Sequence, residues 1–380
     1  MASTHTPLAY IELSEKNLIH NAKQFRTLAG KKTKIIAVLK ANAYGHGLPE
    51  VAKILDPYAD YFQVNSIDEL AELRGISKKK IFLFGYVQAS EIASAIRLGS
   101  ILSIFSLAEL GAVHESAAAQ KIVQEVHIPI DAHLGREGFL LEQLPQLFAE
   151  LKECPHIKVT GIYAHFANIE DTTDFAHAKK QIKAYEEALK IAESYGYKHP
   201  DTHISATSGL MMYEKGSGAH SLARIGIGTY GLWPSEHLRS VYKNMKFALK
   251  PVLSWKTKIA QVKVLPKGAT IGYGLTYKTK RETKVAVIPQ GYSDGLDRGL
   301  SNAGTVLIGG TKCKILGRVM MNMIVVDVSH LKKVQAEDEV VLLGRQGKEE
   351  ISAEDMAKAV GTINYEIVTR ISPLLPRILK

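Results

Sequence analysis

The sequence predicts an α/β protein: an N-terminal (β/α)8 TIM-type barrel followed by a mostly antiparallel β domain. Three observations carry this. Eight short β-rich runs alternate with helical stretches between Thr33 and Gly231. Several are unbroken Val/Ile/Leu segments, the pattern of parallel strands covered on both faces. After Pro234 the texture changes to short strands punctuated by glycine pairs and turns.

Taken in order, Ser14 is an N-cap for a helix whose Leu18, Ala22, Phe25 and Leu28 recur at helical spacing. The strand runs are Ile35–Leu39, Tyr61–Val64, Ile81–Phe84, Ile101–Ile104, Val123–Ile130, Val159–Tyr163, His203–Ser205 and Arg224–Ile227. Between the sixth and seventh, Phe175, Ala178, Ile182, Tyr185, Leu189 and Ala192 form one apolar helical stripe. Eight strands with intervening helices in about 200 residues argue for a closed barrel. An open doubly wound sheet is the alternative that periodicity leaves standing. Beyond it, Trp255, Thr257 and Ile259 alternate with lysines, and Val285–Ile288, Thr305–Ile308, Cys313–Leu316, Ile324–Val328 and Val340–Leu343 follow, with a late helix near Ser352–Val360. The domains are placed at 1–240 and 241–380.

Composition excludes several classes. The chain has 380 residues, enough for one large and one smaller domain without a stapling metal or disulfide. Cys154 and Cys313 lie far apart with no CxxC spacing, so no zinc site or disulfide framework is expected, and a reducing cytoplasmic home is. Met1–Thr6 lacks the basic and apolar regions of a signal peptide. No apolar run approaches the roughly 18 residues of a spanning helix. The net charge of +10 invites nucleic acid, but the lysines are scattered, with no arginine-rich stripe. Drawing small anionic substrates and cofactor phosphates is the milder use of that charge.

The strongest chemical signal is AVLKANAYGHG at 37–47, in which Lys40 closes an apolar strand before a loop with two glycines. The C-terminal end of a barrel strand is where such enzymes place reactive groups. Desolvation there lowers a lysine's pKa and favours Schiff-base chemistry with an aldehyde. The plainer reading is a lysine reaching solvent ahead of a turn. Other strand ends add weight: Asp131–Phe139 after the fifth, His165 after the sixth, Ser208 after the seventh, and the glycine-rich run around Arg224 at the eighth. Loops after the last two strands are the usual phosphate site of a barrel.

AVLKANAYGHG at 37–47, GREGF at 135–139, HFA at 165–167, ARIGIGTYG at 223–231, GYGLTY at 272–277, GYSDG at 291–295 and GRVMMNM at 317–323 occur in one order. In these segments, and along essentially its whole length, the chain resembles alanine racemases, barrel-class (fold-type III) pyridoxal-phosphate (PLP) enzymes. The resemblance implies a cytoplasmic isomerase that interconverts L- and D-alanine and supplies D-alanine for peptidoglycan. It implies a homodimer with shared active sites and no nucleic-acid or membrane partner. Lys40 would carry PLP and act as one base, and Tyr273 would be the other, reaching in from the partner subunit. Tyr44, Ser208, Tyr365 and the amides of Gly226 and Ile227 would hold the phosphate. His165 would stack on the ring, Arg136 would face its hydroxyl, and Arg224 would bond its nitrogen. Met321 would contact the substrate carboxylate through its backbone, Arg136 would also be counted with the substrate, and Tyr292 would line the entrance.

The chemistry fits these side chains. Two bases on opposite faces can remove the Cα proton and return it with inversion. A free tyrosine has a pKa of about 10, so Tyr273 needs positive charge nearby, for which His165 and Arg224 are candidates. An arginine rarely gives up its proton, so the ring nitrogen opposite Arg224 stays unprotonated and side reactions such as transamination are suppressed. Three departures stand out. The family often has a lysine, carbamylated in some members, where this chain has Pro129; an asparagine where it has Thr207; and Cys-Met-Asp or Ser-Met-Asp where it has Met320-Met321-Asn322. The last keeps a serine or broad-specificity racemase open. A non-catalytic PLP carrier or homeostasis protein would lack the second domain and Tyr273, and related decarboxylases pair the ring nitrogen with a carboxylate where this chain has Arg224.

Overall fold

The computed structural model describes residues 7–214, 216 and 218–380; Met1–Thr6, where a signal-peptide pattern was sought, lies outside them. A first strand, β1 (Tyr10–Leu13), precedes eight that pair among the described residues. These are β2 (Lys34–Val38), β3 (Tyr61–Val64), β4 (Lys80–Leu83), β5 (Ser100–Ser103), β6 (Gln124–Pro129), β7 (Ile157–Tyr163), β8 (Asp201–His203) and β9 (Leu222–Ile225). They run parallel in the order β8-β7-β6-β5-β4-β3-β2-β9. β8 and β9 close the ring with little ladder: the Arg224 amide reaches the Ser205 carbonyl at 3.0 Å, and Thr202 and Ser221 exchange backbone-to-side-chain bonds. The nearly closed barrel decides against the open sheet.

Each strand overlaps its predicted run, most of whose residues are buried, although Val123 at the start of the fifth is exposed. Inside, Ile36, Tyr61, Phe82, Ile101, Tyr163 and Leu222 pack as one cluster. The helix Ala176–Ser194 differs from expectation in which face it buries. Ala178, Gln181, Ala184, Tyr185, Ala188 and Ala192 are buried, whereas Ile182 and Leu189 are only partly so. Small alanines let the helix approach the strands closely, and Gln181 lies inward because its amide has acceptors and a donor to satisfy there.

The chain clusters into two compact units, one of Leu18–Ala43 and Val51–Lys250, the other of the N-terminal segment through Asn17, Tyr44–Glu50 and Pro251–Lys380. The division falls after Lys250 rather than after 240, with a physical reason. Phe247 and Leu249 pack in the cluster of Phe25, Leu238 and Tyr242. Asn21 also bonds the Lys250 carbonyl at 2.8 Å and its amide at 2.9 Å. The N-terminal strand β1 belongs to the β-rich unit. It pairs antiparallel with Leu253–Lys258 and parallel with Arg377–Leu379, two strands' worth of register that no local pattern announced.

In that unit the sheet runs Gln261–Leu265, Thr283–Ile288, Ile324–Asp327, Thr311–Leu316, Thr305–Ile308, Glu339–Gln346, Leu253–Lys258, β1, Arg377–Leu379. Its pairings are antiparallel apart from the β1–Arg377 strand pair. The late helix, Ala353–Val360, starts at a capping box between Ser352 and Asp355 and ends at Gly361 in a left-handed conformation. Among the described residues no helix is long and apolar enough to cross a membrane.

Candidate active site

Lys40 stands just past β2, at the end of the barrel where parallel strands deliver their C-termini. Burial lowers its pKa most, and the charges of Arg136 and Arg224 lower it further, against opposing pulls from Glu137 and Glu69. The chain then turns the wrong way for L-residues. Ala41, Asn42, Ala43 and Tyr44 all have φ between 52° and 55°. A left-handed residue costs about 1–2 kcal/mol, so such a run persists only where its surroundings impose it. Here the Ala43 amide bonds the Leu39 carbonyl at 2.8 Å, and Glu69 accepts from the amides of Asn42 and Asn65 at 3.1 and 2.9 Å.

Arg224 projects from β9 into the barrel and is 3% exposed. One terminal nitrogen donates to His203 Nδ1 and the His203 carbonyl; the other donates to His165 Nδ1 at 3.0 Å and to the carbonyls of Ala164 and Ile204 at 2.8 and 3.1 Å. A guanidinium only donates, so both histidines accept through Nδ1 and carry their proton on Nε2. His203 Nε2 therefore donates to His127 Nδ1 at 2.9 Å. The chain His165–Arg224–His203–His127 thus has one consistent proton arrangement. Burial first, and Arg224 second, push His165 down to about 3 and His203 far below its ordinary value; burial likewise takes His127 to about 3. All three are neutral at physiological pH. Arg224 is itself lowered by burial, to about 10, and stays charged.

Arg136 and Glu137 lie on the loop after β6. Arg136 donates to Glu137 through Nε, and through its terminal nitrogen at 2.6 Å. The loop is pinned at its base: Asp131 Oδ1 accepts from the amides of Leu134 and Gly135 at 2.9 Å each, and the Asp131 amide bonds the Phe139 carbonyl at 3.0 Å. Gly138, at φ 131°, leaves no room for a side chain, since a Cβ would sit 2.6 Å from the Asp131 nitrogen. Gln181 ties this loop to the next, donating to the carbonyls of Ala132 and His165 at 2.8 and 3.0 Å and accepting from the Ala167 amide at 2.9 Å.

Sequence reasoning missed Gln181, His203 and His127. A lone glutamine on a helix's buried face was the available signal for the first. For His127 it was Gly161 on the neighbouring strand, where a Cβ would meet the imidazole at 2.5 Å.

The phosphate candidates divide between the units. Ser208, in the short helix Thr207–Gly209, and Gly226 with Ile227, at the start of the turn Ile227–Tyr230, belong to the barrel unit and are buried. The Gly226 amide donates to Thr207 Oγ1 at 3.2 Å, which gives the departure at Thr207 a use. In the β-rich unit, Tyr44 and Tyr365 have ring centroids 6.2 Å apart. Burial pushes the Tyr44 hydroxyl up to about 12, so it is a neutral donor. Gly45 can take no side chain, because a Cβ would lie 1.9 Å from the Val368 carbonyl oxygen.

Tyr273 is 74% exposed and sits between Gly272 and Gly274, both at φ 72°. The Arg318 guanidinium lies under this turn, its Cζ 3.0 Å from where a Gly274 Cβ would be. Met321 is 56% exposed and Tyr292 43%. The Met321 carbonyl accepts from the Ser293 amide and hydroxyl at 3.0 and 2.8 Å, and Asn322 donates to that hydroxyl at 2.8 Å. The third departure is thus absorbed by a local bond.

One atom tests the expected cofactor. Arg224 Nε is the guanidinium nitrogen with no acceptor among the described residues. It offers one fixed, charged N–H, which suits the lone pair of an unprotonated pyridine nitrogen. With Lys40, that donor fits PLP.

A strand-end lysine of lowered proton affinity, an arginine donor and neutral histidines on a (β/α)8 barrel define a barrel-class PLP enzyme. The family patterns for the N-terminal and C-terminal domains of alanine racemase match residues 13–234 and 252–379. The chain belongs to the alanine racemase family, and its activity is that of an amino-acid racemase of this type. An alanine racemase of Leptospira interrogans is 37% identical over 383 residues, covering 98% of this chain and 95% of the relative. The crystal structure of alanine racemase from a D-cycloserine-producing Streptomyces lavendulae superposes with TM-score 0.92 at 30% identity, covering 99% of this chain and 98% of that one. That of Bacillus anthracis, with bound L-Ala-P, also gives 0.92, at 31% identity over 100% and 96% of the two chains.

Proposed function

We propose that Lys40 and Tyr273 are the two bases that move the Cα proton of alanine, Tyr273 being supplied by a second copy of the chain. The observation that carries this is a contrast in exposure. Lys40 is half-buried among held charges, whereas Tyr273 stands 74% exposed on a glycine-flanked turn. An aromatic so presented, with Leu275 67% exposed beside it, suits a face that another copy covers.

PLP, when bound, supplies an electron-withdrawing ring that acidifies the substrate's Cα–H. Lys40 Nζ, its proton affinity lowered, takes or returns the proton on one face, and the Tyr273 hydroxyl does so on the other. Arg224 orients a ring nitrogen through Nε–H without surrendering its own proton. Neutral His165 offers a flat, uncharged face. Ser208 and the Ile227 amide hold the phosphate, Thr207 engages the Gly226 amide beside them, and Tyr44 and Tyr365 keep the phosphate role the resemblance gives them. Arg136 and the Met321 backbone direct the substrate carboxylate. The Asn322 amide is engaged by Ser293, and the match to alanine racemases is what favours alanine over serine. Free Cys154 and Cys313 accord with a cytoplasmic enzyme that makes D-alanine for the cell wall.

The test is incubation with PLP and L-alanine in D2O, following chirality and Cα deuterium together. D-alanine carrying deuterium, with little pyruvate, is the expected result. Deuterium in unconverted L-alanine alone would mean that only one of the two bases acts and would overturn the pairing. Faster turnover of serine than alanine would move the assignment to a serine racemase.

A further inference from the structure

We propose that Glu137 is a positioning residue: it holds Arg136 in its working orientation and offsets that charge beside Lys40, so this site needs no added anion or carbamate there. The proposal rests on the reading, under the proposed function, of Lys40 as the PLP-bearing base and of Arg136 as a group of the same site. Four observations lead to it.

First, Arg136 is presented on an open loop, with its side chain 50% exposed, and among the described residues its side chain is held by the adjacent Glu137 carboxylate. The contact is two-pronged, Nε to one oxygen and a terminal nitrogen to the other at 2.6 Å. That fork fixes the plane of the guanidinium, which a single contact would not. An exposed pair of this kind adds little to stability; its effect lies in orientation.

Second, the backbone beneath the pair is fixed. Asp131 gathers the Leu134 and Gly135 amides, Gly138 packs on Asp131, and Gln181 holds the Ala132 carbonyl. Glu137 therefore has a rigid base from which to act.

Third, both charges act on Lys40 in opposite senses: Arg136 lowers its proton affinity and Glu137 raises it. Arg136 also lowers His165 and Arg224. The local field is strongly positive, with Lys40, Arg136 and Arg224 together, and Glu137 is one of two acids opposing it at Lys40.

Fourth, residue 129, where the family resemblance would place a lysine, is Pro129 here. It lies at the end of β6 and engages Phe139 only through its carbonyl, at 2.9 Å. Its ring offers no group to which CO2 could add and no contact for Arg136. The carboxylate that such a lysine would carry after modification is instead encoded at 137.

The experiment compares Glu137→Gln, Glu137→Asp, Glu137→Ala and Arg136→Ala holoenzymes. It reads the pH midpoint of the bound cofactor's visible absorption, PLP retention, and kcat and KM with and without acetate or bicarbonate. Glu137→Gln is expected to keep PLP, move the absorption midpoint to lower pH and lose about tenfold to a hundredfold in kcat/KM. Glu137→Ala should regain activity with acetate or bicarbonate, and Glu137→Asp should restore part of it, while the wild type responds to neither anion. Intact-mass measurement should show no labile added CO2. A Glu137→Ala protein with an unmoved midpoint and activity within about twofold of wild type, alongside a shifted Arg136→Ala, overturns the role of Glu137 alone. Loss of activity that no anion repairs also overturns it. If Arg136→Ala leaves the midpoint unmoved, the placement of Arg136 itself is at fault.

Discussion

The two units prepare their chemistry in opposite ways. In the barrel unit the reactive groups are drawn inward and tied: Arg224 is 3% exposed with both terminal nitrogens engaged, and its histidines are held neutral. In the β-rich unit the corresponding groups are pushed outward, with Tyr273 74% and Met321 56% exposed on turns. A barrel can hold a cofactor-bearing lysine alone, because its strand ends converge on one rim. A turn on a sheet's surface can only lend its side chain to something that docks against it. On the proposed reading, one base is made by folding and the other by association.

That contrast breaks most sharply at its extremes. Lys40→Ala should lose both the tightly held cofactor absorption and racemisation, a fall of about a thousandfold or more in kcat. Tyr273→Phe should keep the cofactor and lose about 100- to 10,000-fold in racemisation, with Cα–H exchange from one enantiomer better preserved than inversion. Mixing Lys40→Ala and Tyr273→Ala proteins should recover activity, since one heterodimer site would have both bases. Absence of recovery despite proven subunit exchange would show that the bases are not shared.

Acid should find the barrel before it finds the lysine. His165 and His127 are pushed down to about 3, and His203 lower still, so between their unfolded value near 6.5 and about 3 the unfolded chain binds protons that the folded one refuses. Stability then falls as pH drops through that window, by up to about 1.4 kcal/mol per pH unit for each such histidine. Urea midpoints of wild type and His127→Phe between pH 7 and 4 check this; the variant should have the flatter profile. Lys40 works at the other end. Its lowered pKa is a full penalty below that pKa and fades as pH rises toward its ordinary value. The Lys40→Met apoprotein should therefore be the more stable at neutral pH and lose its advantage in alkali.

Smaller effects sharpen the picture within the barrel. Gly161→Ala drives a methyl to 2.5 Å from the His127 ring and should cost about 1–3 kcal/mol in thermal or chemical unfolding. Gln181→Leu strips the tie between two loops. It should cost about 1–3 kcal/mol through the unpaired carbonyls and amide, and show as a raised KM more than a lowered melting point.

Local pattern determined a good deal of this protein. The barrel strands were legible because a strand covered on both faces must be apolar throughout, and that is a property of consecutive residues. Lys40, Arg136, His165, Ser208 and Arg224 could be named as candidates from their places within or after such strands and from the family resemblance. What stayed hidden depended on distant residues meeting. β1 looked like any short alternating segment, and its place was decided by Leu253–Lys258 and Arg377–Leu379. The boundary moved to Lys250 because Asn21 claimed that residue's backbone. Gln181 faced inward for polar partners on two loops, against the apolar stripe that spacing suggested. The proton order of His165, Arg224, His203 and His127 follows from a donor-only guanidinium between two rings. Periodicity records which faces avoid water; only the tertiary structure decides which polar atoms find each other once they have left it.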